Sequence, residues 1–421
     1  MKRVVLIGGA TGREHAIVKQ FNEKGYEISA LLSEHNKYIK ELCTGEYQRV
    51  NIENIKSVLN DIISLQPDYV IIEQEETMRR DIVDMLKKQN IPCIGATKKQ
   101  AQIENSKIFC RKLLEEIDSN LNPKYKEFYK ISDELNEYIY NLKSKIVIKC
   151  DHTITGVKAR IYENNEQERA IENAKKWIEE YHHIIIEEYI EGQEIAVMCY
   201  SDGSNLIHTP LLKNYKRIGE CNLGENTLGM GTITGKQFFT NISKKTENKI
   251  HEITEKVINK IGEKCEEKYL GSLYGEFIVS GDDVKLMGYN CTFGNPALMN
   301  ILSIMKISFP ELCEHILNGT INELKDIFDD EIVSLSAYVV PKEYTLNQKY
   351  VGTEIDFSDV NEKLFYCGNM DYVRDKFYLK NSRAFAVSVA GENIKDVKDI
   401  LYNELSKVKG NIYYRRDIGN G

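Results

Sequence analysis

Two lysines, three glutamates and one hairpin carry most of the chemistry this sequence offers. Lys107 opens a helical run, "NSKIFCRKLLEEI", and Lys149 ends an apolar strand-like run, "SKIVIKC". A lysine at an element end is usually just solvated, so neither decides anything alone. Glu187, Glu188 and Glu194 fall in "IIIEEYIEGQE", after a run too apolar for a surface edge. Carboxylates there suit the hydroxyls of a ribose, with backbone groups near Glu188 and Ile190 at an adenine edge; the plain alternative is an acidic hairpin turn. "GSLYGEFIVSGDDVKLMGYN" reads as two alternating strands around "SGDD", with Glu276 on one and Asn290 at the end of the other. Oxygen ligands on adjacent strands, beside phosphates, suit Mg²⁺, which often takes only one or two protein carboxylates. "GENTLGMG", Gly224 to Gly231, reads as a glycine-rich loop whose N–H groups approach an anion closely.

"LIGGATGREHA", from Leu6, adds a strand, a glycine-rich turn and a helix, which is how a phosphate or dinucleotide site begins. Its glycines, Gly8, Gly9 and Gly12, follow neither G-x-G-x-x-G nor the P-loop spacing, and no Lys-Ser/Thr pair follows.

The elements that must position these residues fall into three regions. Residues 1–95 alternate strand ("RVVLI", "EISALL", "YVIIE", "IPCIG") and helix, which predicts an open parallel sheet with helices on both faces. Ligands of such sheets sit beyond the carboxyl ends of the strands, where Gly8 to Gly12 and the Glu73 to Glu76 loop both fall. Residues 96–330 read as mostly antiparallel sheet with helices to one side, including a long helix over 243–268. Residues 331–421 read as a small α+β domain. The fold class is therefore α/β and α+β multidomain.

Composition agrees with an enzyme of this size. The chain has 421 residues, 42% hydrophobic and 29% charged, enough for two to four domains. Its net charge is −8 and no basic tract stands out, so nucleic acid is not expected as a partner. No run approaches the roughly 18 apolar residues of a membrane span, and a strand begins too early for a signal peptide. The ten cysteines include no C-x-x-C pair and read as reduced core thiols; the eight histidines show no ligand spacing. A cytoplasmic location is expected, as monomer or homodimer.

The order of these features resembles the ATP-grasp fold, in which two α+β lobes hold ATP between them. "GREHA", "GATKKQAQIENSK", "IEEYIEGQE", "NYKRIGE", "ENTLGMG", "YNCTFGNP" and "YYRRDIGNG" together resemble the phosphoribosylamine–glycine ligase family across nearly the whole chain. The resemblance implies a Rossmann-like N-terminal domain whose turn helps bind an amine and does not hold NAD, a central ATP-grasp domain and a small C-terminal domain. It implies ATP and Mg²⁺ as cofactors, with Mn²⁺ as a substitute, and small carboxylate and amine substrates joined by way of an acyl phosphate. It places Lys107 and Lys149 on ATP phosphates or the adenine edge, Glu187, Tyr189 and Ile190 around the adenine, and Glu194 on the ribose. It places Asn290 on the metal, and Lys149, Lys216 and Arg217 near the transferred phosphate or the substrates. Gly9, Gly12, Arg13, Glu14 and Glu75 then serve the amine, and Thr292 and Asn295 the acyl substrate.

The sequence also departs from that family. Gly288 stands where a metal-binding Glu is usual, Thr292 for Arg, Asn295 for Asp, Ala297 for Glu and Asn214 for Asp. Glu73-Gln74 replaces a Gly-Pro pair, the first turn carries one extra residue, and "HTITGVKA" replaces a phosphate lid while keeping Gly156 and Lys158. A turn centred near residue 282 puts Glu276 opposite about 288, which makes Glu276 the expected charged metal ligand beside Asn290. The expectation is an ATP-dependent carboxylate–amine ligase that is a divergent paralogue with an altered acyl or amine substrate. The alternatives are the authentic phosphoribosylamine–glycine ligase and a nucleotide-binding pseudoenzyme.

Overall fold

The computed structural model describes residues 1–151 and 159–420. The expectation for Gly156 and Lys158 lies outside the described residues.

Short apolar runs separated by amphipathic helices give the N-terminal region a five-stranded parallel sheet. Its strands are β1 (Arg3–Gly8), β2 (Glu27–Leu32), β3 (Tyr47–Arg49), β4 (Tyr69–Ile72) and β5 (Cys93–Ile94), in the order β3-β2-β1-β4-β5. Strands buried on both faces read as continuous apolar runs, and "YVII" of β4 is buried throughout. Helix α1 (Gly12–Glu23) follows β1 and opens with a capping box between Thr11 and Glu14.

The central region holds two sheets. A four-stranded antiparallel sheet contains β6 (Tyr125–Phe128), β7 (Ile146–Cys150), β8 (Ala159–Tyr162) and β9 (Ile184–Glu188), ordered β6-β9-β7-β8. The helix Lys107–Asp118 is capped by Ser106, whose hydroxyl accepts from Phe109 N–H. The larger sheet is built on β10 (Gln193–Asp202), β11 (Leu206–His208), β12 (Leu212–Arg217), β13 (Asn226–Thr234), β14 (Leu270–Ser280) and β15 (Asp283–Asn290). The helix Lys244–Cys265 covers one face, its buried Ile253 and Val257 joining Phe277 and Tyr289 in one core.

This sheet runs on past residue 330. β13 pairs with β16 (Val333–Pro341), which pairs with the strand Phe385–Gly391, so ten strands form one surface. The C-terminal region adds a separate four-stranded sheet and packs the helix Ile394–Ser406 on β16. Among the described residues the cysteines form no disulfide and eight are buried, and no helix is long and apolar enough to cross a membrane.

Two local expectations are corrected. The supposed loop Gly224 to Gly231 is largely strand β13, and its glycines serve close packing: a Cβ on Gly231 would lie 2.5 Å from the Ser336 carbonyl oxygen. Glu75 and Glu76 do not stay in a loop but open a short helix, Glu75–Arg79.

Candidate active site

The hairpin β14–β15 sets the site's geometry through one irregular residue. Near the turn Ser280 pairs with Asp283 and Phe277 with Leu286, a register that would put Glu276 opposite Met287. A bulge at Met287 shifts it, so that Glu276 pairs with Gly288 and Tyr274 with Asn290. A one-residue slip moves side chains to the opposite face. The bulge is thus what brings Glu276, Gly288 and Asn290 to one face.

Neighbouring strands add to that face. Ala196 pairs with both Glu276 and Leu212, so Glu194 on β10 and Asn214 on β12 project to the same side. Asn214 Nδ2 donates to Tyr274 Oη at 2.6 Å and to Glu276 Oε1 at 3.4 Å, while its buried Oδ1 has no hydrogen-bond partner among the described residues. Lys216 Nζ lies 2.7 Å from Glu276 Oε2. Burial opposes the Lys216 charge, but Glu276 and Glu194 outweigh it and raise its pKa. Glu276, Asn290 and the orphaned Asn214 oxygen are hard oxygen donors, a set that fits Mg²⁺ and not a thiolate-seeking metal. Among the described residues no three His, Cys, Asp or Glu side chains converge as a metal cage, so ligands from substrate and water would complete the shell. A Cβ on Gly288 would lie 3.9 Å from Lys107 Nζ, which places that ammonium beside position 288.

On the facing lobe Glu187 is fully buried between two cations. Lys149 Nζ lies 2.5 Å from its Oε2 and Arg111 Nε 2.8 Å from its Oε1. Burial opposes its ionisation, yet Arg111 and Lys149 hold its pKa at about 2. The Lys149 pKa is lowered, by burial first and then by Arg111 and Lys107 against the pull of Glu187. Tyr189 N–H donates to the Lys145 carbonyl at 3.0 Å. Ile190 is half-buried and Glu194 exposed. Arg217 Nη1 donates to the Gly224 carbonyl at 2.8 Å.

The residues expected to serve the substrates converge at a second place. Gly9 faces Gln74, with a Cβ there 3.3 Å from Gln74 Oε1. Arg13 and Glu14 are buried and bonded within the protein. Glu14 accepts from Thr11 N–H at 2.7 Å and from Arg13 Nη2 at 2.8 Å. Gly8 leaves room for it: a Cβ there would lie 2.3 Å from Glu14 Cγ. Gly12 packs as tightly, under the Tyr338 hydroxyl. Within this turn Ala10 takes the left-handed backbone conformation, with φ 64°. Arg13 Nη1 donates to the Phe293 carbonyl at 2.9 Å and Phe293 N–H donates to Glu73 at 3.1 Å, so the Arg13–Glu73 pair grips both sides of one residue's backbone. Burial pushes the Glu73 carboxyl well above the usual range, with Arg13 pulling the other way.

That grip fixes the segment bearing Thr292 and Asn295. Thr292 is buried, and Asn295 donates to Thr11 Oγ1 at 2.8 Å and accepts from the Tyr338 hydroxyl at 2.7 Å. Glu75 is exposed and hydrogen-bonds Glu104, whose Oε2 also accepts from Cys291 N–H at 2.7 Å. Burial, then Glu75, raises the Glu104 pKa well above the usual range.

Four residues here escaped the sequence analysis. Arg111 stands one helical turn after Lys107, a spacing that puts both on one helix face and was visible in "NSKIFCRK". Glu104 ends the turn before Ser106 and gave no signal. Arg383 Nη1 donates to the carbonyls of Leu228, Gly229 and Asn295, holding β13 against the segment that bears Asn295. Arg415, inside "YYRRDIG", is wholly buried; it pairs with Asp417 at 2.6 Å and donates to the Arg217 carbonyl at 3.0 Å. The terminal motif therefore pins the end of β12, where Lys216 sits.

Comparison with known proteins agrees with this arrangement. The family model for the N domain of phosphoribosylglycinamide synthetase matches residues 2–104, and that for its ATP-grasp (A) domain matches residues 105–298. A phosphoribosylamine–glycine ligase of Methanosphaera stadtmanae is 30% identical over 98% of this chain and 95% of its own. The crystal structure of phosphoribosylamine–glycine ligase from Thermotoga maritima superposes with a TM-score of 0.82 at 22% identity, covering 98% of this chain and 99% of that one. The biotin carboxylase domain of Hydrogenobacter thermophilus 2-oxoglutarate carboxylase, solved with MgADP, ADP and bicarbonate, reaches 0.73 at 13% identity over 97% of this chain and 90% of that one. The chain belongs to the phosphoribosylamine–glycine ligase family of ATP-grasp ligases.

Proposed function

We propose that this chain joins a small carboxylate to an amine at the expense of ATP, and that it is a paralogue whose acyl site has moved away from glycine. The γ-phosphoryl group passes to the carboxylate, giving an acyl phosphate and ADP. The amine then attacks the activated carbonyl, loses a proton, and phosphate leaves with formation of the amide. Positioning and charge neutralisation dominate such a reaction. Lys107 and Lys149 bind the nucleotide phosphates, with Glu194 on the ribose and Tyr189 and Ile190 beside the adenine. Lys216 and Arg217 steady the transferring phosphate. Mg²⁺, held by Glu276 and Asn290, would neutralise charge on the phosphates; Mn²⁺ suits the same oxygen donors. The MgADP in the Hydrogenobacter neighbour supports magnesium and an adenine nucleotide as the ligands, at the level of the shared fold.

The observation that carries the altered acyl site is the neutral segment 292–297. Thr292 and Ala297 are buried without charge, and both ends of the Asn295 amide are engaged by Thr11 and Tyr338. Losing a guanidinium partner for a small carboxylate removes roughly 1.5–3 kcal/mol, or about tenfold or more in binding. The name of the relatives supports phosphoribosylamine as the amine. It equally favours a second reading, the authentic glycine ligase. An ADP-release screen of the purified protein decides, using amino acids and small carboxylates with and without phosphoribosylamine. Glycine is expected to be a poor substrate beside another carboxylate. A glycine kcat/KM of roughly 10⁴ M⁻¹s⁻¹ or more would return the chain to the housekeeping reaction.

A further inference from the structure

Arg111 is 1% exposed and all of its guanidinium nitrogens are engaged. Nε and Nη2 fork onto Glu187 at 2.8 and 3.2 Å. Nη1 donates to the Leu286 carbonyl at 2.8 Å and to Asn122 Oδ1 at 3.4 Å, and Nη2 reaches the Met287 carbonyl at 3.3 Å. A guanidinium has five N–H donors, and these five contacts use them. Met287 is the bulged residue of β15, where the ladder is locally broken. Lys149 differs. Its ammonium meets the same Glu187 carboxylate from the other side, has three donors, and among the described residues shows a single hydrogen bond, to Glu187.

We infer that Arg111 is a positioning residue that makes Lys149 releasable: it neutralises Glu187 from behind, so that the Lys149 ammonium can turn from Glu187 to an incoming nucleotide phosphate. Without Arg111 that exchange would strand a buried carboxylate, which is strongly unfavourable. With Arg111 in place Glu187 keeps two charge-assisted hydrogen bonds throughout, and one of the two cations is free to leave. Arg111 itself has no donor left for a ligand, so it acts only through Glu187. The inference rests on the nucleotide-binding reading of Lys149 given above.

Calorimetric titration with a non-hydrolysable ATP analogue and Mg²⁺ tests it, on the full chain, with thermal melting of each variant to establish folding. Arg111→Met is expected to weaken binding about tenfold or more, because Glu187 then retains Lys149. Adding Glu187→Gln to Arg111→Met removes the stranded charge and is expected to recover at least half of that loss on a logarithmic scale. A purely structural Arg111 predicts that the double variant binds no better than the single one, and that result overturns the inference. Should Arg111→Met not fold, Arg111→Lys serves: a lysine cannot fork onto Glu187 and reach β15 together, so binding several-fold weaker than wild type is expected and wild-type affinity overturns the inference. A wild-type protein that binds no nucleotide removes the underlying reading as well, whereas wild-type binding with unchanged Arg111→Met removes the inference alone.

Discussion

The molecule contains two buried ion groups of opposite balance. Arg111, Lys149 and Glu187 set two cations against one carboxylate; Arg13, Glu14 and Glu73 set one cation against two carboxylates. In the first, the carboxylate stays ionised, with its pKa held at about 2, and a cation is left over for an anion. In the second, Glu14 is held below the usual carboxylate range, by Arg13 and Thr11 against its burial, while burial pushes Glu73 well above it. The first group ends in Lys149, a side chain with donors to spare. In the second, Arg13 donates to the Phe293 carbonyl and Glu73 accepts from Phe293 N–H. On the proposed reading, the excess of cation in the first group serves an incoming anion, while the second group clamps the backbone of residue 293.

The comparison breaks most sharply at Arg13. Replacing it by Met leaves two carboxylates buried without a cation, a loss of about 3–5 kcal/mol, and urea unfolding should show it. A loss below about 1 kcal/mol would mean that the second group is not the clamp described. Glu73→Gln sharpens the contrast with a smaller effect. Burial raises the Glu73 pKa well above the usual carboxylate range, so a neutral Gln should be tolerated there, with a change in stability below about 1 kcal/mol at pH 7. The pH dependence has opposite signs at Glu73 and at Glu187. A raised folded pKa, as at Glu73, contributes stability below the unfolded value of about 4.3 that is lost as pH rises through the folded pKa. A lowered one, as at Glu187, contributes stability above about 4.3 that is lost as pH falls towards about 2. The dependence of stability on pH between 4 and 8 should therefore be flatter for Glu73→Gln than for wild type; an unchanged slope counts against a raised Glu73 pKa.

Much of the frame could be read from hydrophobic period alone. Runs such as "YVII" and "EISALL" announce buried parallel strands, and Ser106 announces a helix start. The three-residue β3, "YQR", escaped because an edge strand that is mostly exposed carries no apolar signal. The union of β13 with β16 escaped because pairing between strands about a hundred residues apart leaves no local trace. At the site, the opposition of Glu276 and Gly288 was legible only approximately, since the turn alone gives a register one residue away and the Met287 bulge supplies the difference. Arg111 and Arg415 were hidden for a common reason: a long cationic side chain reads as solvated until its burial is seen. Arg13 and Glu14 were taken as ligand contacts from a motif, and the packing around Gly8 shows how fully the protein itself occupies them.

The central claim is that ATP chemistry survives the loss of a carboxylate at position 288 because Glu276 supplies the metal's protein charge. ADP formation measured against Mg²⁺ concentration, for wild type and Glu276→Gln, tests it most directly. The swap is nearly isosteric, so the fold should persist. Wild type should turn over ATP only with Mg²⁺, and Glu276→Gln should lose most of that turnover or need far more Mg²⁺. A Glu276→Gln protein that turns over ATP like wild type, with the same Mg²⁺ requirement, would contradict the assignment. Wild type that forms no ADP with any carboxylate and amine would contradict the ligase itself.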